Sequence, residues 1–437
     1  MPATDKQAEL QTRVNGARLE TDKLFDLVRP DSLYERPIPE RHRIVFYLGH
    51  LEAFDWNLLR EPLGLKPFDP EFDKLFAFGI DPVDGGLPSD KPSDWPSIDK
   101  VRGYNQRIRA ALDTALSEGH RTSGREAGDR GMLLNVAIEH RLMHAETLAY
   151  MLHQLPLERK VKPRTTSLRH SAPVAAGMVD VPAGTATLGI PRGNGHFGWD
   201  NEFEETSIEV PAFAIDRYKV TNREFLRFVE AGGYEESSLW SEGDWAWRAE
   251  HKIQHPGFWI PAQGRWHLRT MFDEIDLPLD WPVYVSRAEA NAYARWTGKT
   301  LPTEAQWHRA AYGTPRGKER PYPWGSKPPE SPKHGNFDFG RWDPACVNAF
   351  PEGRSAFGAE DLLGNGWEWT ASVFEPLPGF EPFPFYPGYS ANFFDGHHYV
   401  MKGGSPRTAA CMLRRSFRNW FQPHYPYVYA GFRSVSN

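Results

Sequence analysis

Three histidines have the residue type and the spacing that a metal site requires. His140 and His144 are four residues apart in a segment with helical apolar spacing, so both rings leave one face of a helix about one turn apart. His50 lies among apolar residues in a second segment of the same kind. Imidazoles in a helical core are costly unless their nitrogens are satisfied, and neutral imidazole suits iron, zinc, copper and nickel. The pattern predicts one site for a divalent transition metal.

A structural role is the alternative, because a single histidine in an apolar stripe is usually a hydrogen-bonded core residue. The chain has 16 histidines, so some coincidence is expected, but the pair on one helix face and the third ring favour a metal. Three neutral ligands would leave open positions for substrates and dioxygen. Glu52 and Glu146 each follow a histidine by two residues and could accept a ring N–H, although a surface salt bridge is the more common role of a helical glutamate.

Apolar residues recur at three- and four-residue steps throughout the N-terminal part of the chain, which predicts helices. The predicted helices lie around Val14 to Val28, Tyr47 to Leu58, Ile98 to Leu116 and Met132 to Met151. We therefore predict a four-helix bundle domain over residues 1–160, with the segment Pro62 to Pro96 as the crossover between its second and third helices. This bundle would carry all three histidines.

Beyond a basic linker, Pro156 to Pro173, the helical pattern becomes sparse. Two helices are predicted there, one from Ser286 to Thr297 that is ended by Gly298 and one with Thr303 as its N-cap. The rest of the second predicted domain, residues 175–437, is expected to consist of short strands, turns and loops. The two halves together predict an α+β chain of two domains.

Composition narrows the class of protein. Of the 437 residues, 40% are hydrophobic and 25% are charged, and no apolar run is long enough to span a bilayer. The first residues lack the apolar stretch of a secretory signal, so we expect a cytoplasmic protein. A net charge of −6 without a basic patch argues against nucleic acid as a partner. Two cysteines, Cys346 and Cys411, are too few for a disulfide framework or a thiolate zinc site.

Two sets of motifs carry a resemblance to known proteins. In the C-terminal half they are, in order, Phe213 to Phe225, Leu301 to Trp307, Gly364 to Thr370, Gly403 to Ser405 and Gly431 to Arg433. This half resembles the formylglycine-generating-enzyme fold, which is related to C-type lectins. The N-terminal half, with its separate histidine and its H-x-x-x-H-x-E helix, resembles the DinB-like bundle of ergothioneine-forming sulfoxide synthases. The combination is similar to those synthases over nearly the whole chain.

The resemblance implies an iron-dependent oxidoreductase. Such an enzyme uses Fe(II) and dioxygen to form a carbon–chalcogen bond on the imidazole ring of hercynine, which is trimethylated histidine. Carried over to this chain, the iron ligands are His50, His140 and His144. The iron would do the oxygen chemistry, and the protein would supply placement and a proton.

The resemblance also implies residues that contact hercynine. The family motif Arg-Asn-Trp is present before Phe421, so Asn419 would hydrogen-bond hercynine, and Trp420 or Phe421 would face its trimethylammonium group. The family has a pair of tyrosines, one of which donates a proton during the reaction. Tyr386 and Tyr389 match that pair.

The chain departs from the family where the chalcogen donor is expected to bind. Synthases that use γ-glutamylcysteine carry an aspartate directly after Asn-Trp, arginines in the bundle crossover and often a glutamine before the second helix histidine. Here these places hold Phe421, a crossover without arginine from Pro62 to Lys100, and Met143, which would line the substrate pocket. A clamp for the dipeptide's carboxylates is therefore missing. Such a pocket suits a selenosugar, the donor of the selenoneine synthase branch, which we favour, or a small thiol.

Other functions remain open at this point. Within the same enzyme class, the chain could be an ergothioneine sulfoxide synthase that uses cysteine. A metal-dependent thiol transferase can also use three bundle histidines, but it leaves the C-terminal half unexplained. A non-catalytic, lectin-like binding protein would not need histidines in core stripes. Formylglycine generation is not expected, because its paired active-site cysteines are absent.

Overall fold

The computed structural model describes residues 3–77, 87–117, 124–163, 174–193, 195–262 and 264–436. The chain divides into two compact units, Met1–Thr165 and Thr166–Asn437. In the part that is described, no helix combines the length and the apolar character needed to cross a bilayer. The predicted α+β class is confirmed, with a helical N-terminal part followed by small sheets. The limits predicted for the two domains stay a prediction.

The first unit is built from helices. Within its described residues they are α1 (Ala3–Phe25), α2 (Ile44–Leu59), α3 (Pro70–Leu75), α4 (Ile98–Ser117) and α5 (Gly124–Gln154). α1 packs on α5, and α2 packs on both α4 and α5. α1 begins earlier than predicted, and the short α3 lies in the segment that was predicted only as a crossover.

Burial explains the arrangement of these helices. Twelve of the 16 residues of α2 are buried, and a helix that is apolar on almost every side must be covered on every side. α4 instead buries one stripe between Val101 and Leu116. α3 begins at an N-cap, Asp69, whose side chain accepts the N–H of Phe72. Because most of α2 is buried, each buried polar group on it needs a partner.

The second unit contains several small sheets. Its described strands are β1 (Met178–Val181), β2 (Gly184–Leu188), β3 (Thr206–Val210), β4 (Phe213–Asp216), β5 (Trp259–Ala262), β6 (Arg265–Arg269), β7 (Glu274–Asp276), β8 (Trp367–Val373), β9 (Tyr399–Lys402), β10 (Asn419–Phe421), β11 (Ala430–Gly431) and β12 (Val435–Ser436). They form sheets of order β1-β4-β12, β10-β9-β8-β11, β2-β3 and β5-β6-β7. Pairing between these strands is antiparallel except for β8 with β11. Trp307 and Phe337, both 0% exposed, belong to one of the apolar clusters that fill the unit.

Four helices of this unit show where sequence patterns succeed and fail. They are α6 (Asn222–Glu230), α7 (Glu242–Glu250), α8 (Arg287–Trp296) and α9 (Glu304–Tyr312). The predictions of α8 and α9 are confirmed, with Ser286 and Thr303 as N-caps. The expectation of loops and strands over α6 and α7 was wrong. α9 has the same length of nine residues and was predicted from its N-cap, and the capping box of Thr221 with Glu224 was an equally usable signal for α6.

Candidate metal centre and aromatic site

α2 and α5 bring the three predicted histidines together. His50 lies on α2, and His140 and His144 lie on α5, where the helices pack on each other. The Nε2 atoms of His140 and His144 are 3.1 Å apart. One ring nitrogen from each histidine lies within 4.8 Å of the other two, and the side chains are only 2–3% exposed. These three residues, called the metal centre below, form a group that could hold a metal ion.

A main-chain carbonyl fixes the orientation of the His50 ring. The Nδ1 atom of His50 lies 2.7 Å from the carbonyl oxygen of Phe76, the residue that follows α3. A carbonyl only accepts hydrogen bonds, so Nδ1 carries the ring proton and Nε2 keeps its lone pair. That Nε2 atom is buried and has no hydrogen-bond partner among the described residues. A buried acceptor in need of a partner, next to two other imidazoles, fits a metal ligand.

The spacing and protonation of the rings fit a metal as well. Two nitrogens in adjacent octahedral positions, each about 2.1 Å from the metal, are about 3.0 Å apart, close to the 3.1 Å between the His140 and His144 Nε2 atoms. Burial lowers the pKa of His50 to about 4. Burial, aided by neighbouring histidines, holds the pKa values of His140 and His144 well below the ordinary value. All three rings are therefore neutral near pH 7, the form that binds metals.

Apolar side chains enclose the metal centre. Phe46 stacks on His50 with ring centroids 4.9 Å apart, and Phe54 stacks on His140 at 3.4 Å. Met143 is half-buried on α5 and directly precedes His144 in the chain. Such a lining excludes water and strengthens electrostatic interactions inside the site. The contact of Met143 with substrate stays a prediction.

A buried arginine ties together the two helices that carry the metal centre. Arg141 of α5 is fully buried, and its Nη1 donates to Glu52 of α2 at 3.0 Å. Its Nη2 donates to Asp55 at 2.6 Å and to the carbonyl oxygen of Leu51 at 2.9 Å. Arg109 of α4 also donates to Glu52, at 2.9 Å. Arg141 directly follows His140, and Leu51 directly follows His50. The network therefore holds α2 against α5 next to a predicted ligand on each helix.

The two glutamates near the ligands do not lie on the surface. Burial opposes the charge of Glu52, but Arg141 and Arg109 hold the pKa of its carboxyl at about 2. Glu146 is buried too, at 9% exposure. The surface salt bridge considered for Glu52 was therefore wrong, because Glu52 is 1% exposed and pairs with Arg141 inside the unit. The Nδ1 proton of His50 goes to a carbonyl rather than to Glu52.

In the second unit, the predicted substrate residues and tyrosines are called the aromatic site below: Tyr386, Tyr389, Asn419, Trp420 and Phe421. The last three are the half-buried residues of β10, an edge strand that pairs with β9. Successive side chains of a strand point to opposite faces. The two aromatic residues of β10 have different contacts. The ring of Trp420 stacks on Phe374 with centroids 4.2 Å apart, and the ring of Phe421 stacks on Tyr425 with centroids 5.3 Å apart. The two aromatic candidates thus have separate surroundings.

The predicted tyrosine pair lies on the Trp420 side. The rings of Tyr386 and Tyr389 are 5.6 Å apart, and Tyr389 meets Trp420 edge-on at 5.5 Å. Tyr389 is buried and stacks on Trp199 at 4.0 Å, whereas Tyr386 is half-buried. The structure therefore brings both tyrosines and Trp420 into one cluster. Their catalytic and binding roles stay predictions.

Sequence reasoning missed three groups that support these sites. The carbonyl of Phe76 belongs to the main chain, so no residue pattern announces it. Trp199 reaches Tyr389 from a distant part of the chain, which spacing cannot show. Arg141 did offer a signal, because a cation beside a histidine in an otherwise apolar helix must find buried partners.

Each of the two units is matched by the model of a known protein family. The DinB superfamily model matches residues 14–148, and the Sulfatase-modifying factor enzyme 1-like domain matches residues 165–437. The first match covers the helices of the metal centre. The second covers the small sheets and the aromatic site.

Relatives match almost the whole of this chain. Hercynine oxygenase of Mycolicibacterium thermoresistibile is 40% identical over 444 residues, which are 99% of this chain and 95% of the relative. The chain belongs to the hercynine oxygenase family. Hercynine oxygenase of Mycolicibacterium smegmatis is 36% identical over 97% of this chain and 98% of its own length. Ergothioneine biosynthesis protein 1 of Neurospora crassa is 29% identical over 93% of this chain and 55% of its own length. The resemblance to ergothioneine-forming enzymes is confirmed.

Proposed function

We propose that this member of the hercynine oxygenase family uses ferrous iron and dioxygen to form a carbon–selenium or carbon–sulfur bond on the imidazole ring of hercynine. The metal centre carries this proposal, because one nitrogen from each of three neutral, buried imidazoles lies within 4.8 Å of the other two. A lectin-like binding protein would have no use for such a group. The names of the similar hercynine oxygenases support hercynine as the substrate.

His50, His140 and His144 would hold the iron as three neutral ligands. If octahedral, such a metal keeps about three positions for other ligands. When bound, ferrous iron would supply the oxygen chemistry, while the chain places the reactants and excludes water. In the balanced reaction, a ring C–H and a Se–H or S–H bond break, a carbon–chalcogen bond forms, and dioxygen accepts four electrons. One oxygen atom ends on the chalcogen and the other leaves as water.

Hercynine carries a permanent cation, which burial cannot neutralise, so its site needs an aromatic face or a carboxylate. Trp420 and Phe421 are both half-buried aromatic residues of β10, and either could offer such a face. The Oδ1 atom of Asn419 accepts the N–H of Trp420 at 2.9 Å. Its amide N–H groups therefore remain to donate to the imidazole or the carboxylate of hercynine.

One of the two tyrosines would donate the proton that the reaction requires. Tyr386 is half-buried and lies beside Tyr389, which Trp199 holds in a stack. A phenol that is fixed by packing can present its proton in one direction. The pair is therefore suited to a donor and a neighbour that positions it.

The structure of the crossover supports a donor without carboxylates. Asp90 forms ion pairs with both Arg36 and Arg43, and its Oδ2 lies 2.9 Å from the Nε of Arg43. Trp95 also donates its ring N–H to Asp90, at 2.7 Å. Asp90 therefore already pairs with these two guanidinium groups, and Pro62 to Lys100 supplies no arginine of its own. We therefore favour a selenosugar as the donor, with cysteine as the second candidate.

The test is a donor comparison. Protein reconstituted anaerobically with Fe(II) is mixed with hercynine, dioxygen and one of four donors: a selenosugar, its thiosugar analogue, cysteine or γ-glutamylcysteine. We expect a mass-identified conjugate with the selenosugar, or with cysteine, and negligible product with γ-glutamylcysteine. Fastest turnover of γ-glutamylcysteine would contradict the donor assignment alone. No conjugate with any donor, from iron-loaded protein, would contradict the proposed function.

A further inference from the structure

The short helix α3 and its flanking residues supply none of the three histidines, yet the main chain at their end contacts His50. The segment from Asp69 to Phe76, called the docking segment below, lies between α2 and α4 in sequence and ends with the carbonyl that holds His50. We propose that the docking segment is a positioning element of the metal centre, which sets the orientation of His50 through a close contact between Phe76 and Gly49. This inference rests on the metal centre of the proposed function.

Gly49 permits this contact. It is buried in α2, directly before His50, and a Cβ atom added there would lie 2.5 Å from the Phe76 ring. Real Cβ atoms do not approach so closely, so any larger residue would force Phe76 to move. Glycine is unfavourable inside a helix. The close approach of Phe76 gives a reason for its presence.

The Phe76 ring has no free space to move into. Its side chain is 0% exposed. Aromatic rings surround it at centroid distances between 5.6 and 6.4 Å: Phe46, Phe72, Trp95 and Tyr104. A methyl group on Gly49 would therefore displace the whole residue, together with its carbonyl. The His50 Nδ1 proton would lose its acceptor, and the ring would lose its fixed direction.

Hydrogen bonds of Asp73 anchor the docking segment separately from the Gly49 contact. Asp73 accepts the ring N–H of Trp56 at 3.2 Å and the hydroxyl of Tyr104 at 2.8 Å. The side-chain amide of Asn57 donates to the Asp73 carbonyl at 3.1 Å. Trp56 and Asn57 belong to α2, and Tyr104 belongs to α4, so the segment is held on two helices. Its carbonyl is therefore placed by a polar anchor as well as by the Gly49 contact.

The experiment measures metal affinity rather than turnover. Zinc, a redox-inert ion that binds three histidines, is titrated into full-length apo-protein in competition with a chromophoric chelator, with His144→Ala identifying the specific site. We expect Gly49→Ala to weaken zinc binding about 10–100-fold, the usual cost of losing a group that orients a ligand. The matched control is Gly103→Ala on α4, where an added Cβ has no heavy atom within 4 Å. This control should bind zinc like the wild type.

Rescue separates positioning from general damage. Gly49→Ala with Phe76→Ala removes the collision and keeps the carbonyl, so it should bind zinc more tightly than Gly49→Ala alone. Wild-type affinity in a folded Gly49→Ala protein would overturn the inference. If that variant does not fold, Phe76→Leu, which removes the ring that packs on Gly49, replaces it, and an unchanged zinc affinity there would equally overturn it. Equal zinc binding by wild type and His144→Ala would instead refute the metal centre itself.

Discussion

The metal centre and the aromatic site differ in what holds their side chains. The ligands of the metal centre are 2–3% exposed and belong to helices of 16 and 31 residues that are joined by buried ion pairs. The aromatic site combines a strand of three half-buried residues with loop residues, and ring contacts hold it. A metal needs fixed donors in a dry setting, whereas a substrate needs accessible surface. Under the proposed function, the first region would hold the metal, and the second would bind hercynine and supply the proton donor.

The largest effect is expected from a ligand of the metal centre. His144→Ala leaves two imidazoles, so iron binding should fall and turnover of hercynine should drop to background. Iron content and product formation are measured together, with circular dichroism to show that the helices persist. Full turnover at unchanged iron content would break the comparison, because catalysis would then not depend on the metal centre.

The tyrosines should give the next effect. We expect Tyr386→Phe or Tyr389→Phe to lower kcat by about 10²–10⁴-fold, the usual contribution of a proton donor, while iron content stays at the wild-type level. Only one of the two should act as the donor, so the other variant serves as the matched control. Wild-type rates for both would remove the tyrosines from the reaction and leave the aromatic site a binding surface.

Removal of Arg141 should affect stability rather than selectivity. Arg141→Met leaves the buried carboxylates of Glu52 and Asp55 without their common partner, which typically costs about 3–5 kcal/mol of the free energy of unfolding. The control is Arg159→Met at an exposed ion pair with Asp31, where the cost should be about 0–1 kcal/mol. Chemical denaturation of both variants measures the difference. Equal losses would show that the buried ion pairs of Arg141 stabilise the protein no more than the exposed one.

The contrast also explains which parts of the structure could be predicted from the sequence. The helical spacing of α2 and α5 predicts that His50, His140 and His144 share one core, because helix periodicity fixes which face a residue occupies. No such rule places Tyr389 against Trp199, since loops of variable length separate them. α6 and α7 were missed because their N-caps, Thr221 and Ser241, were not recognised as helix starts, and the Phe76 carbonyl has no side-chain signature at all. Regular elements are predictable from spacing, and contacts between loops are not.

The smallest effect distinguishes the two faces of β10. Trp420→Leu or Phe421→Leu should raise KM for hercynine by about 2–30-fold, which corresponds to a cation–π contribution of about 0.5–2 kcal/mol, and should leave kcat nearly unchanged. Only the residue that faces the trimethylammonium group should reduce the preference for hercynine over histidine. If neither variant changes that preference, the cation site lies outside β10.

The position of iron tests the central claim most directly. Crystals of the Fe(II)-loaded protein, grown without oxygen, can be measured on both sides of the iron absorption edge. The account predicts one anomalous peak with a nitrogen of His50, of His140 and of His144 each about 2.0–2.2 Å away. Iron located elsewhere, or any of the three rings more than about 3 Å from it, would contradict the account.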